Sequence, residues 1–159
     1  MLDTILAVKF VHVLFAAVMF GAWFCVAAFM VFAHRSRNAS VIALVAQFSV
    51  RVELFIVAPA IVVQPISGFP LGDLIGLSGS DDYWIGGSIV IYAVVLLAWL
   101  GALRIEFLIR RMARQASLGS TKLDAQYPLL FRIWAALAAL IFTGMFLIFL
   151  LMVWQPRLN

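Results

Sequence analysis

A chain of 159 residues that is 66% hydrophobic and 11% charged, with a mean hydropathy of +1.14, has too little polar surface to coat a soluble globule. Its length accommodates about four membrane-crossing helices of roughly 20 apolar residues each, as one domain with no separate catalytic module outside the membrane. The net charge of +4 does not point to nucleic acid, because the basic residues flank apolar runs; it reads as a topology signal and a contact with anionic lipid.

The first span is expected from about 4 to 33. Asp3 with no basic n-region, and an apolar run longer than a signal core, mark a retained helix. Ala17, Gly21, Cys25 and Ala28 recur at steps of four and three, a stripe where another helix can approach closely. Cys25 is the single cysteine, so no disulfide or thiolate cluster forms within the chain. Lys9 and His12 interrupt the first half of the span. After His34-Arg-Ser-Arg-Asn38, a cap at Asn38 or Ser40 opens the second span, expected over about 40–68. Pro59 and Pro65 should kink it, and Ser67-Gly-Phe-Pro70 should stop it.

A Gly- and Ser-rich acidic loop, 70–82, leads to Tyr83-Trp84, a pair suited to the headgroup region, and to a third span over about 83–104 whose helix runs on past Arg110, Arg111 and Arg114. Thr121-Lys-Leu-Asp124 resembles a capping box before the fourth span, about 133–154, which Gln155-Pro156 ends. The expected fold is therefore all-α, an integral membrane four-helix bundle. Arg35 and Arg37 follow span one; Arg110, Arg111, Arg114 and Lys122 follow span three; Asp73, Asp81 and Asp82 lie between spans two and three. The positive-inside rule puts the basic loops in the cytoplasm and both termini outside, in a bacterial inner membrane.

Ionisable groups inside hydrocarbon are costly and mark a partner or a function. At about 1.5 Å per helical residue, Arg51, Glu53, Trp99, Arg104, Glu106 and Arg132 fall in one slab between the midplane and the cytoplasmic side. Arg51 and Glu53, like Arg104 and Glu106, are two positions apart and share no helix face, so partners must come from other helices. The expected arrangement pairs Glu53 with Arg104 or Arg132. Such a cluster is either a proton or anion path or a structural lock with snorkelling arginines.

Depth matching also sets His12, Pro59, Tyr92 and Met145 at one level in the outer half. His34 lies at the far end of the same helix, so the two histidines cannot clamp one haem. A His12–Met145 pair, or His12 with an open position, could hold b-type haem, with Phe10, Phe15 and Phe146 around the ring. The plain alternative is a histidine hydrogen-bonded to a neighbouring helix and a methionine in the core.

Val8-Lys-Phe-Val-His12 through Gly21 to Val31-Phe-Ala-His34 resembles the first helix of the membrane-bound, haem-containing protoporphyrinogen oxidases of bacteria. A second resemblance covers nearly the whole chain. Glu53-Leu-Phe, Ala58-Pro-Ala-Ile-Val-Val-Gln-Pro-Ile-Ser-Gly68, Ala98-Trp-Leu100, Arg132-Ile-Trp134 and Leu151-Met-Val-Trp-Gln-Pro156 are similar to a bacterial four-helix integral membrane family of unknown function, related by expectation to the oxidase and to copper-resistance D proteins. Here Glu53-Leu54 replaces the family's Asp-Trp, Gln155-Pro156 replaces Lys-Pro, and the third span has no counterpart of the oxidase's lysine.

Three functional readings follow. The chain is a small haem-b redox protein exchanging electrons with quinone or a redox partner; or a permease or metal-handling protein using Glu53, Gln64 and methionines; or an accessory subunit, self-associating or bound to other helices. Its six methionines are scattered without a Met-x-x-x-Met stripe, which weakens a soft-metal path.

Overall fold

The computed structural model describes residues 2–74, 83–119 and 122–155. All four expected spans are helices, and there is no strand among the described residues. Helix α1 is Leu2–Ser36, α2 Ala39–Val52, α3 Ala58–Leu74, α4 Tyr83–Leu118 and α5 Tyr127–Trp154. A single π-helical turn, Glu53–Val57, joins α2 to α3, so that Ala39–Leu74 crosses as one span.

Local chemistry sets the connections. Arg37 adopts φ 53° and ends α1, and Asn38 Oδ1 accepts from the backbone N–H groups of Ser40 and Val41 at 2.9 and 3.3 Å, capping α2. So tight a turn forces α1 and α2 to run antiparallel. At the other basic connection Asp124 Oδ1 accepts from Gln126 N–H at 2.8 Å and shapes the turn ahead of α5, whose N-cap Gln126 makes no side-chain bond; Thr121, the expected box residue, lies outside the described residues. Gln155 closes α5 in the left-handed conformation with φ 43°.

Two boundaries and the place of one irregularity differ from the expectation. The second span runs through Ser67-Gly-Phe-Pro70 to Leu74, because membrane helices tolerate proline where a neighbour takes up the freed carbonyl. Tyr92 does so for Pro65: its hydroxyl donates to Ile61 O at 2.5 Å, the carbonyl that a residue-65 N–H would otherwise bond. The fourth helix starts at Tyr127, with Pro128 in its first turn, where a missing N–H is harmless. The irregularity in span two falls at residues 53–57, ahead of Pro59, where the Ala58 N–H reaches back five residues to Glu53 O.

Helix packing follows a three-four alternation, the coiled-coil-like seam of membrane bundles. Buried positions run Trp23, Val26, Met30, Ala33 on α1; Val95, Ala98, Ala102, Glu106, Ile109, Ala113, Ala116 on α4; and Tyr127, Phe131, Trp134, Ala138, Ile141, Met145 on α5. In span two the stripe is Ile42, Ala46, Ser49, Glu53 and then Val57, Ala60, Gln64, Ser67. The step from Glu53 to Val57 is spanned by the π turn, which holds one extra residue, and both halves face the same core.

Helix α4 packs on α2 and α5, α1 packs on α2 and α3, and α1 meets α5 only lightly. At the basic end α1 and α5 are joined by His34, whose ring stacks on Phe131 at 3.7 Å and 4° and whose Nδ1 lies 3.0 Å from the Tyr127 hydroxyl. The stripe Ala17, Gly21, Cys25, Ala28 turns outward instead of meeting another helix of the bundle, and a β-carbon at Gly21 would meet nothing within 4 Å.

Candidate functional site: a carboxyl pair in an indole cage

Two acidic side chains are sealed in the bundle. Glu53, in the π turn, is 1% exposed, and Glu106, on α4, is 0% exposed. Both stripes turn them inward, and both reach α4: Glu53 through Trp99, and Glu106 from α4 itself, two turns further along.

Their partners are tryptophans. Trp99 donates its indole N–H to Glu53 Oε2 at 2.5 Å, and Trp134 on α5 donates to Glu106 Oε1 at 2.9 Å. Trp23 on α1 lies beside the Glu53 carboxyl. Three helices thus each contribute one buried indole: Trp23 and Trp134 are 1% exposed and Trp99 is 7% exposed. The remaining carboxyl oxygens, Glu53 Oε1 and Glu106 Oε2, have no hydrogen-bond partner, and neither does the Ser49 hydroxyl one turn before Glu53. Unmade hydrogen bonds on buried polar atoms are expensive, so three together need an explanation.

The expected ion pairs are absent among the described residues. Arg51, Arg104 and Arg132 all point out of the bundle. The reason is the two-residue offset: with Glu53 and Glu106 turned inward, Arg51 and Arg104 stand about 200° around their own helices and cannot follow. Of the five residues expected to form one cluster, the structure turns the two carboxyls inward and leaves the three guanidinium groups outside.

His12 is buried, as expected of the one histidine well inside the first span, but it serves a different seam. Its Nδ1 lies 2.9 Å from Ser67 Oγ, its carbonyl accepts from Gln64 Nε2 at 3.1 Å, and a β-carbon at Gly68 would stand 3.2 Å from His12 Cε1. Met145 is core; its neighbour Gly144 abuts Val95 and Ile91 of α4. Pro59 is not level with His12 either, being eight residues, or about 12 Å, short of Ser67 along the helix. His12 and Met145, the residues expected to ligate haem, are not joined by any contact: the imidazole is held by Ser67 at the α1–α3 seam, and Met145 lies in the core beside Gly144. Two surface hollows, of about 350 and 450 Å³, are lined by Phe24, Ala27, Ala28, Val31 and Phe142, and by residues of α4 from Leu100 to Arg111; neither contains His12 or Met145. No group of three or more His, Cys, Asp or Glu residues suited to a metal ion occurs among the described residues.

The sequence sets Trp99 at the depth of the two glutamates but does not single out Trp23 or Trp134, nor the role of any indole as a hydrogen-bond donor. Trp23, Trp99 and Trp134 carried one available signal, their coincidence with the inward stripe of three different helices at the depth of the two glutamates.

A four-span helical chain with this proline-interrupted second span matches the family described as predicted integral membrane protein (DUF2269) over residues 6–156. The chain belongs to the DUF2269 family. No curated protein and no solved structure matches it. Membership in DUF2269 carries the integral membrane character and the four apolar helices; likeness to the haem-containing oxidases or to copper-resistance D proteins is not part of the match.

Proposed function

We propose that this DUF2269 protein handles protons, and that the Glu53–Glu106 pair is the group that takes them up and releases them. The observation that carries the reading is the pair of orphan oxygens: two buried carboxyls with no cation, each holding one oxygen on an indole N–H and leaving the other unpartnered. A buried carboxyl with no cation beside it is costly to ionise in low dielectric, and in this reading the free oxygens and Ser49 Oγ are where a proton moves. Intramembrane carboxyls facing a bundle interior are the usual components of proton relays.

Access is from the basic end. Glu53 lies only two residues, about 3 Å along the axis, from the exposed Arg51. Towards the acidic end, Val57 and Ala60 are 0% exposed and separate it from the next polar layer, Gln64, Ser67 and His12. In this proposal the basic end is cytoplasmic, the termini are outside, and the membrane is the bacterial inner membrane, in line with the loop charges. The π turn beside Glu53 is the element able to slip by one residue and alter access, as such turns often do at working sites. The redox reading has no comparable support, since His12 and Met145 serve different seams.

The test is reconstitution in vesicles with a pH-sensitive dye inside. The wild type should dissipate an imposed pH gradient faster than Glu53→Gln, Glu106→Gln or the double variant, and infrared spectra should show a protonated-carboxyl band that the variants lose. Equal gradients and an unchanged band in the double variant would overturn the proposal.

A further inference from the structure

Arg51, Arg104 and Arg132 stand on three different helices at the same level of the membrane. Counting along each helix to the polar or aromatic residue at its acidic end, Arg104 is 20 residues from Trp84 (104 − 84), Arg51 is 22 from Asp73 (73 − 51), and Arg132 is 22 from Trp154 (154 − 132). At about 1.5 Å per residue these distances are roughly 30–33 Å, the thickness of the hydrocarbon core. All three side chains are exposed, and both carboxylates of the same slab are committed to indoles inside the bundle. Three guanidinium groups therefore ring one boundary of the hydrocarbon.

On α4 this ring continues into a shallow, open hollow on the helix face. Leu100, Leu103, Arg104, Phe107, Leu108 and Arg111 line a space of about 450 Å³. Their spacing of three and one keeps them on a single face, apolar at its hydrocarbon end and basic at its aqueous end. Arg104 and Arg111 are two turns apart, about 10 Å along the axis, with Phe107 between them. Long arginine side chains close much of that separation, and a guanidinium matches two phosphate oxygens at once.

We propose that this face of α4 is a binding site for one anionic phospholipid, its phosphate held between Arg104 and Arg111 and an acyl chain laid along Leu100 and Leu103. Charge complementarity selects the occupant. A second copy of the chain related by a two-fold axis along the membrane normal would bring Arg104 against Arg104 and Arg111 against Arg111, a like-charge contact. A zwitterionic lipid presents an ammonium beside its phosphate and gains less from two guanidinium groups. The proposal is independent of the proton reading, because none of these side chains touches the carboxyl pair.

The experiment uses the full chain purified in a non-ionic detergent. Thermal unfolding and native mass spectrometry are followed while phosphatidylglycerol, phosphatidylcholine or inorganic phosphate is added. Phosphatidylglycerol should raise the melting temperature saturably and appear as a retained one-to-one adduct. The double variant Arg104→Gln/Arg111→Gln should weaken its apparent affinity about tenfold or more, whereas Arg114→Gln/Lys122→Gln, which removes the same charge elsewhere, should not. Arg104→Lys/Arg111→Lys should recover part of the affinity. Equal loss in both double variants would mean a diffuse charge effect; an equal response to phosphatidylcholine would mean solvation by any lipid; a response to inorganic phosphate alone would mean a free-anion site; a concentration-dependent dimer abolished by the groove variant would mean a second copy. Each of these four results overturns the proposal.

Discussion

Trp99 and Glu53 are joined across the α2–α4 seam by an indole N–H donated to a buried carboxyl oxygen at 2.5 Å, where an arginine was expected. A neutral donor satisfies one oxygen without cancelling charge. Glu53→Gln should therefore change stability by no more than about 1 kcal/mol, because the amide oxygen still accepts from Trp99 and no cation is left behind, whereas breaking a true buried ion pair costs roughly 3–5 kcal/mol. Trp99→Phe, which removes the donor, should destabilise by about 1–3 kcal/mol. Reversible unfolding in mixed detergent measures both, and a loss above 3 kcal/mol in Glu53→Gln would restore the ion-pair reading.

The arginines give the complementary expectation. Arg51→Gln, Arg104→Gln and Arg132→Gln remove exposed side chains that hold no carboxylate among the described residues. Each should shift detergent stability by no more than about 0.5 kcal/mol, the usual range for surface changes. A large loss in any of the three would place that guanidinium inside the network.

Tyr92 and Pro65 should be coupled. Tyr92→Phe leaves the Ile61 carbonyl unpaired and is expected to cost about 1–3 kcal/mol. Pro65→Ala supplies the missing N–H four residues on, so in that background Tyr92→Phe should cost distinctly less. The double-mutant cycle isolates the difference, and strictly additive losses would show that the hydroxyl has another role.

Gly144 is required by contact, not by conformation: a β-carbon there would overlap Val95 of α4. Gly144→Ala should destabilise by about 1–3 kcal/mol through overpacking, and Val95→Ala should relieve it in the double variant. Gly68→Ala meets only the edge of the His12 ring, at 3.2 Å, and should be milder. The ordering of the two alanine variants in an unfolding titration is the check; a Gly68 variant worse than the Gly144 variant would mean that the His12 ring cannot yield.

Much of the fold was legible before any coordinates. Four long apolar runs have no fold available in water and only helices available in lipid, so composition and run length settle class, number of spans and alternation of direction. Helix ends were less legible: at the headgroup boundary neither burial nor exposure penalises an extra turn, so α3 continues to Leu74 and α5 begins at Tyr127. The charged slab was legible as a depth. Its chemistry was not, because counting residues gives height along a helix and leaves rotation and partner open.

By itself, then, the sequence determined that this chain is a four-span helical membrane protein carrying costly polar groups at particular depths, since those follow from transfer free energies summed along one chain. Only the tertiary structure decided that Glu53 and Glu106 both turn inward onto indoles while three arginines stay on the outside of the bundle. That outcome depends on a one-residue π insertion at 53–57 and on which stripes of four helices interdigitate, and both are properties of packing between segments distant in the chain.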